Sequence, residues 1–333
     1  MRKIQIFDST LRDGAQGEGI SYSLSDKLAI VRALDEFGID YIEAGNPGSN
    51  PKDLMFFERL RTENLRHARV TAFGSTHRKG IAVADDVNVR SLLSADTPAV
   101  TIFGKAWDLH AEKILRITKE ENLEIVYNTV KFFKDRGKEV IFDAEHYFDG
   151  AIANEAYALQ VLWTAYDAGA DCLCLCDTNG GTLPEAISTM TATAVRLFPD
   201  RAIGIHCHND IGCAVASSIS AVLVGAAQVQ GTFIGNGERC GNADLSIIIP
   251  NLQLKLGYNC VDNDLSALYG AVREICEISN MRVYRQRPYV GDSAFAHKGG
   301  MHIDGVSKFP ASFEHIEPES VGNSRRFLMS EVS

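Results

Sequence analysis

Two histidines one residue apart, His206 and His208, close the run Ala-Ile-Gly-Ile-His-Cys-His-Asn-Asp over 202–210. The residues before them read as a short buried strand, and side chains two apart on a strand point to the same side. Both imidazoles therefore face one small volume. Neutral imidazoles on one face are natural ligands for a divalent cation, and a carboxylate from another element would complete the set. Two polar side chains at a strand end would give the same pattern. The choice depends on what else the fold delivers to that volume.

Short apolar runs alternate with longer amphipathic stretches from the first residue to about residue 256. Strands are expected at 3–8, 39–45, 69–75, 99–104, 139–145, 171–177, 202–208 and 227–234. Helical patterns fall between and after them, at 25–37, 51–62, 85–94, 118–136, 154–168, 184–197, 212–224 and 243–256. Ser25 and Asn154 read as N-terminal caps, and Gly38, Gly137, Gly169 and Gly225 as stops. Strand–helix alternation implies parallel pairing through right-handed crossovers. Eight such units predict an α/β fold, a (β/α)8 TIM barrel, rather than an open sheet.

That fold carries a spatial rule: chemistry sits at the C-terminal ends of the barrel strands. The rule gathers Arg12-Asp13-Gly14, then Asp143, Glu145 and His146, then Asp177 and Thr178, with the two histidines and Gly235-Asn236-Gly237-Glu238-Arg239. These polar residues converge on one rim, the predicted active site. The barrel is expected to occupy 1–258 and a C-terminal helical and loop subdomain 259–333, reaching over an active site. A helix is expected there at 264–279, followed by a looser segment containing His297 and His302 and by a polar close without a core pattern.

At 333 residues, with 45% hydrophobic and 23% charged residues, the chain has the composition of a soluble globular protein. A net charge of −10 without a basic stripe argues against a nucleic-acid partner. No apolar run reaches the length of a membrane span, and the N-terminus runs into a strand without a leader core. The eight cysteines lie mostly in apolar segments, which fits reduced thiols in a cytoplasmic protein.

Four stretches carry a family resemblance: Asp8-Ser9-Thr10-Leu11-Arg12-Asp13-Gly14-Ala15-Gln16, His206-Cys207-His208-Asn209-Asp210, Gly235-Asn236-Gly237-Glu238-Arg239-Cys240-Gly241-Asn242-Ala243 and Phe295-Ala296-His297-Lys298-Gly299-Gly300-Met301-His302. In this order they resemble the acyltransferase branch of a metal-dependent TIM-barrel superfamily that also holds the hydroxymethylglutaryl-CoA lyases. The branch contains 2-isopropylmalate, homocitrate and citramalate synthases. Gly45-Asn46-Pro47-Gly48-Ser49-Asn50-Pro51-Lys52, the stretch 101–110 and Asp143-Ala144-Glu145-His146 look most like the longer bacterial citramalate synthases.

The resemblance implies that Asp13, His206 and His208 ligate a divalent metal ion, zinc, manganese or magnesium, with Asn242 a weak fourth ligand. A turn aspartate before Gly14 is the alternative for Asp13 alone. One carboxylate and two imidazoles leave coordination positions open for a keto acid. Arg12 is expected beside the ketone oxygen, stabilising the charge it gains. Thr178 is expected to hold the keto-acid carboxylate. Glu145 is expected to assist acid–base chemistry, or to serve as a structural partner for an arginine such as Arg12. His302, paired with Glu145, is the expected base for the acetyl methyl of acetyl-CoA. Because that segment reaches the partner subunit's barrel in relatives, a homodimer with shared active sites is implied. His297 is expected to support its loop.

The implied reaction joins acetyl-CoA to pyruvate, giving citramalate and CoA in isoleucine biosynthesis. The alternatives are a 2-isopropylmalate synthase acting on 2-oxoisovalerate for leucine biosynthesis, and a retro-aldol lyase. Relatives carry a further C-terminal regulatory domain, which this chain is expected to lack, so feedback inhibition is not expected and a reduced activity is. Cys172, Cys174 and Cys176 share one strand face, where small buried thiols suit a barrel interior better than a metal cluster. Cys240 receives no role, and Gly235-Asn236-Gly237 lacks the context of a dinucleotide loop.

Overall fold

The computed structural model describes residues 1–329. Eight parallel strands close into a barrel in chain order: β1 (Gln5–Asp8), β2 (Tyr41–Glu43), β3 (Arg69–Ser75), β4 (Ala99–Lys105), β5 (Glu139–Glu145), β6 (Cys172–Asp177), β7 (Ala202–Cys207) and β8 (Gln228–Gly231). The barrel closes where β8 pairs with β1, with Gln5 opposite Gln228 and Asp8 opposite Gly231. Strands β2 and β8 are shorter than the runs 39–45 and 227–234 expected for them.

Alternation sorts the side chains into two layers. Ile6, Ile42, Val140, Phe142, Leu173, Leu175, Ile203, Ile205 and Val229 face outward and join one continuous core with the surrounding helices. Phe7, Tyr41, Ile141 and Cys172 form a separate small cluster in the lumen. Continuing at the same parity toward the C-terminal ends, β2 offers Glu43, β5 Asp143 and Glu145, β6 Cys174 and Cys176, and β7 His206. The strand period therefore stacks an apolar floor beneath a polar mouth.

The outer layer comprises α1 (Leu24–Phe37), α2 (Pro51–Leu60), α3 (Val87–Ser94), α4 (Lys119–Lys134), α5 (Tyr147–Asp167), α6 (Pro184–Leu197), α7 (Ala214–Leu223) and α8 (Leu245–Pro250). Helix α1 starts two residues earlier than Ser25 suggested: Ser23 and Asp26 form a reciprocal capping box, and Gly38 at φ 98° ends it. Helix α5 also starts early, at Tyr147, and Asn154 interrupts it with φ −156° and ψ 80°. The Asn154 Oδ1 accepts from the Tyr157 backbone N–H at 3.3 Å, so it caps the second segment, as a helix-starting Asn would. Helix α8 stops at Pro250 instead of continuing to 256, and five-residue-spaced turns follow over Asn251–Lys255. Proline removes a donor and its ring pushes the preceding turn open.

After the barrel, α9 (Leu268–Ile278) packs on α1. The remainder is more ordered than its polar composition suggested. Strands β9 (Ala296–His297) and β10 (Arg326–Phe327) pair in parallel, flanking α10 (Gly300–Lys308), and residues 330–333 lie outside the described residues. Among the described residues, no helix is long and apolar enough to cross a membrane.

The first segment of α5 lies against the turn after β4. A Cβ at Gly150 would sit 2.5 Å from the Ala106 carbonyl oxygen and 3.0 Å from the Trp107 Cα. Alanine would gain about 0.5–1 kcal/mol of helix propensity, but overpacking against backbone costs about 1–3 kcal/mol. Gly150→Ala should therefore lower the urea midpoint, and an unchanged or raised midpoint would contradict this close approach.

Candidate active site

The turn after β1 is sewn together by its own side chains. The Asp8 carboxylate accepts from the Thr10 backbone N–H and hydroxyl, both at 2.9 Å, and the Thr10 oxygen accepts from the Phe233 backbone N–H after β8. The Ser9 carbonyl accepts from the backbone N–H groups of Arg12 and Gly14. This brace directs Arg12 and Asp13 into the mouth. Burial pushes the Asp8 carboxyl up to about 7 against its hydrogen bonds.

Asp13, His206 and His208 are buried together, at 3%, 5% and 6% exposure. The Asp13 Oδ2 lies 3.8 Å from the His206 Nε2 and 3.6 Å from the His208 Nε2, and one ligand atom from each residue falls within 4.8 Å of the others. Bonds of about 2.0–2.2 Å at tetrahedral angles would separate ligand atoms by roughly 3.4 Å, so a cation fits between these three with small adjustments. Burial lowers the His206 pKa to about 3 and depresses that of His208, keeping both lone pairs available. Burial alone would raise Asp13, but Arg12, the two histidines and the Asn242 hydrogen bond together outweigh it and hold the carboxyl below the usual range. The Asn242 Nδ2 donates to the Asp13 Oδ1 at 2.7 Å, while its own Oδ1 is buried without a partner. Gly237, at φ 152°, lets the following loop lie on this pair: its Cβ would be 2.1 Å from the Asn242 Nδ2.

Arg12 links two carboxylates, Nη1 to Asp13 at 2.8 Å and Nε to Glu43 at 2.6 Å, with its guanidinium 3.9 Å from the Phe73 ring centroid. It makes no other side-chain hydrogen bond among the described residues, so N–H groups remain for a ligand. Glu43 is fully buried and its Oε1 has no partner. Burial, with repulsion from Glu43, pushes Asp143 up to about 7. A cavity of about 240 Å³ opens above, lined by Arg12, Asp13, Glu145, Thr178, His206 and His208, with Phe73, Phe103 and Arg239. The Thr178 oxygen accepts from the His146 backbone N–H at 2.8 Å, which leaves its hydroxyl proton to donate elsewhere.

A family model described as HMGL-like matches residues 3–280. The chain belongs to the HMGL-like family. A second model, described as homocitrate synthase post-HMGL domain-like, matches residues 289–333. The (R)-citramalate synthase of Aquifex aeolicus is 53% identical over 99% of this chain and 63% of its own length. That of Synechocystis is 52% identical, over 98% and 61%. The 2-isopropylmalate synthase of Sulfolobus acidocaldarius is 35% identical over 100% of this chain and 83% of its own. The chain thus spans less than two thirds of the citramalate synthases it matches. A Bacillus subtilis HMG-CoA lyase superposes with a TM-score of 0.71 at 19% identity, covering 85% of this chain and 96% of that one, which shows the shared fold.

Within this HMGL-like barrel, six of the residues expected at the site line one cavity, and Asn242 stands directly behind Asp13. Glu145 is not a partner of Arg12. It forms an ion pair with Lys105, its register partner across β4 and β5, and Glu43 takes the arginine. His302 does not line the mouth of its own chain or meet Glu145 there. Its ring is on α10, stacked on Phe313 at 4.3 Å. His297 is buried and bonded to Glu314 at 3.0 Å, which fits loop support. Sequence reasoning overlooked Glu43 and Lys105, and placed Arg239 on the rim without giving it a role. The signal for the first was a lone carboxylate ending a buried strand. For the second it was a cation one strand over at the height of Glu145.

Asp143, Cys174 and Cys176 form a second donor set within 4.8 Å, whereas the Cys172 thiol points to the Gln228 Oε1 at 3.6 Å. Burial keeps these thiols protonated, raising Cys176 to about 11 and Cys174 well above an ordinary thiol. The histidine-bearing set is the one already in its ligating protonation state. Burial holds the His206 ring at about 3 and lowers that of His208, so protons compete less for these ligands than for an ordinary imidazole. Mn2+ affinity should therefore stay flat between about pH 5.5 and 7.5. A loss centred near about 6.5, the value of an ordinary imidazole, would contradict the burial of these ligands.

Proposed function

We propose that this chain carries the catalytic apparatus of an acyltransferase that condenses acetyl-CoA with pyruvate, yielding citramalate and CoA on the route to isoleucine. One observation carries the proposal: Arg12, Asp13, Thr178, His206 and His208 surround one small cavity in a chain 46–53% identical to five (R)-citramalate synthases. The 2-isopropylmalate synthases stand further off, at 33–35%. Pyruvate also suits the cavity better than a branched acceptor, since the Phe73 and Phe103 rings, stacked at 5.0 Å, wall one side.

A divalent ion held by Asp13, His206 and His208, with Asn242 as a weak fourth ligand, would supply Lewis-acid polarisation of the keto carbonyl. Thr178 donates its free hydroxyl proton to the keto-acid carboxylate. Arg12 directs N–H groups toward the ketone oxygen, where negative charge grows during attack. In the balanced reaction a base takes one acetyl methyl proton, and the electron pair released forms the bond to the keto carbon. The carbonyl pair moves to oxygen, which gains a proton. Water then cleaves the thioester, giving a carboxylate and the CoA thiol.

We assign the base to His302, assisted by Glu145, and bring them together through a homodimer. The support is the exposed surface of α10 and its C-terminal cap, where Met301 is 83% and Phe309 67% exposed, with His302 away from the mouth of its own chain. In this arrangement the barrel to residue 258 and the linker subdomain from 259 meet across two copies. We read the protein as cytoplasmic, in keeping with eight free thiols, and as acting on small molecules rather than nucleic acid, in keeping with its charge of −10.

The test is thiol release from acetyl-CoA with pyruvate, 2-oxobutyrate, 2-oxoisovalerate and 2-oxoglutarate. Pyruvate should be fastest. A preference for 2-oxoisovalerate would make the chain a 2-isopropylmalate synthase, and cleavage of hydroxymethylglutaryl-CoA would make it a lyase. Lewis-acid polarisation is worth several kcal/mol, so His206→Ala should slow turnover by on the order of 10³-fold. Wild-type turnover in that variant would overturn the proposal.

A further inference from the structure

The geometry points to Gln230 as a positioning residue that fixes the ring tautomer of His206, holding its Nε2 lone pair toward Asp13. The inference rests on the cation-site reading above and concerns a residue outside the ligand set. On β7 and β8, His206 and Gln230 are register partners, so their side chains stand beside each other on the luminal face. Gln230 is fully buried.

Its amide orientation is settled by what surrounds it. The Gln230 Nε2 donates to the Asp143 Oδ1 at 2.9 Å and lies 3.5 Å from the Gln228 Oε1. Reversing the amide would turn a carbonyl oxygen onto both acceptors. The Gln230 Oε1 is consequently directed away from Asp143, and it is buried without a hydrogen bond. The His206 Nδ1, on the paired residue, is buried without one too. The pairing of β7 with β8 sets these two orphaned atoms on neighbouring side chains of one face.

A neutral imidazole carries one ring proton, and a ring that ligates through Nε2 must keep that proton on Nδ1. A Nδ1–H···Oε1 bond would satisfy both orphaned atoms at once. The other tautomer leaves both unsatisfied and aims an N–H at the position a cation would take beside Asp13. Gln230 thus passes the fixed orientation of Asp143 on to the metal face of His206.

The test begins with ring-nitrogen NMR of the metal-free wild-type protein, in which His206 should carry its proton on Nδ1. A proton on Nε2 would overturn the inference whatever the variants do. Mn2+ titration then compares Gln230→Met, which keeps the volume but removes the acceptor, with Gln230→Glu, which restores one. The methionine variant should bind roughly 10–100-fold more weakly, and the glutamate variant should recover most of that loss. Wild-type affinity in Gln230→Met would refute the role of Gln230. Failure of the wild-type protein to bind Mn2+ would instead refute the cation-site reading, and the ring-proton result would still decide the tautomer.

Discussion

The mouth of this barrel is organised by one guanidinium placed between carboxylates that would otherwise repel each other. Arg12 holds Asp13 with one nitrogen and Glu43 with another, above a buried Asp143. An unpaired charge in such a place costs several kcal/mol, so removal of Arg12 would drive these carboxyls to take up protons. With Arg12 present, Asp13 stays ionised against burial while the two histidines beside it stay neutral. That combination of one anionic oxygen and two uncharged nitrogens is what a divalent cation binds, and no single residue of the three produces it alone.

The barrel was legible because its signals are local and repeated. Each strand is a short apolar run, each helix has its own period, and eight repetitions leave few alternatives. The rim was legible for the same reason, since polar residues at the C-terminal ends of strands are placed by the fold. Boundaries failed where a tertiary contact replaced a local rule. Asn154 has the chemistry of a helix start, yet Gly150 lets the chain pack against the β4 turn and begin its helix a turn and more earlier.

Pairing inside the site was less legible than membership of it. Glu43 and Glu145 each end a strand with a carboxylate, and sequence alone offers no reason to give Arg12 to one rather than the other. Register decides: β5 sets Glu145 level with Lys105 on β4, while the turn after β1 brings Arg12 onto β2. Gln230 was invisible for a related reason, because a buried glutamine acquires meaning only from its neighbour across the strand. The segment containing His302 shows the limit in another form. Its motif is read easily, but within its own chain His302 stacks on Phe313 and does not line the mouth.

The most direct test of the account is X-ray absorption spectroscopy of the zinc-loaded protein at one ion per chain, because two donor sets compete in the same lumen. Ligation by Asp13, His206 and His208 predicts a shell of nitrogen and oxygen with imidazole outer scattering and no sulfur. A sulfur shell at about 2.3 Å would put the ion at Asp143, Cys174 and Cys176 and contradict the account.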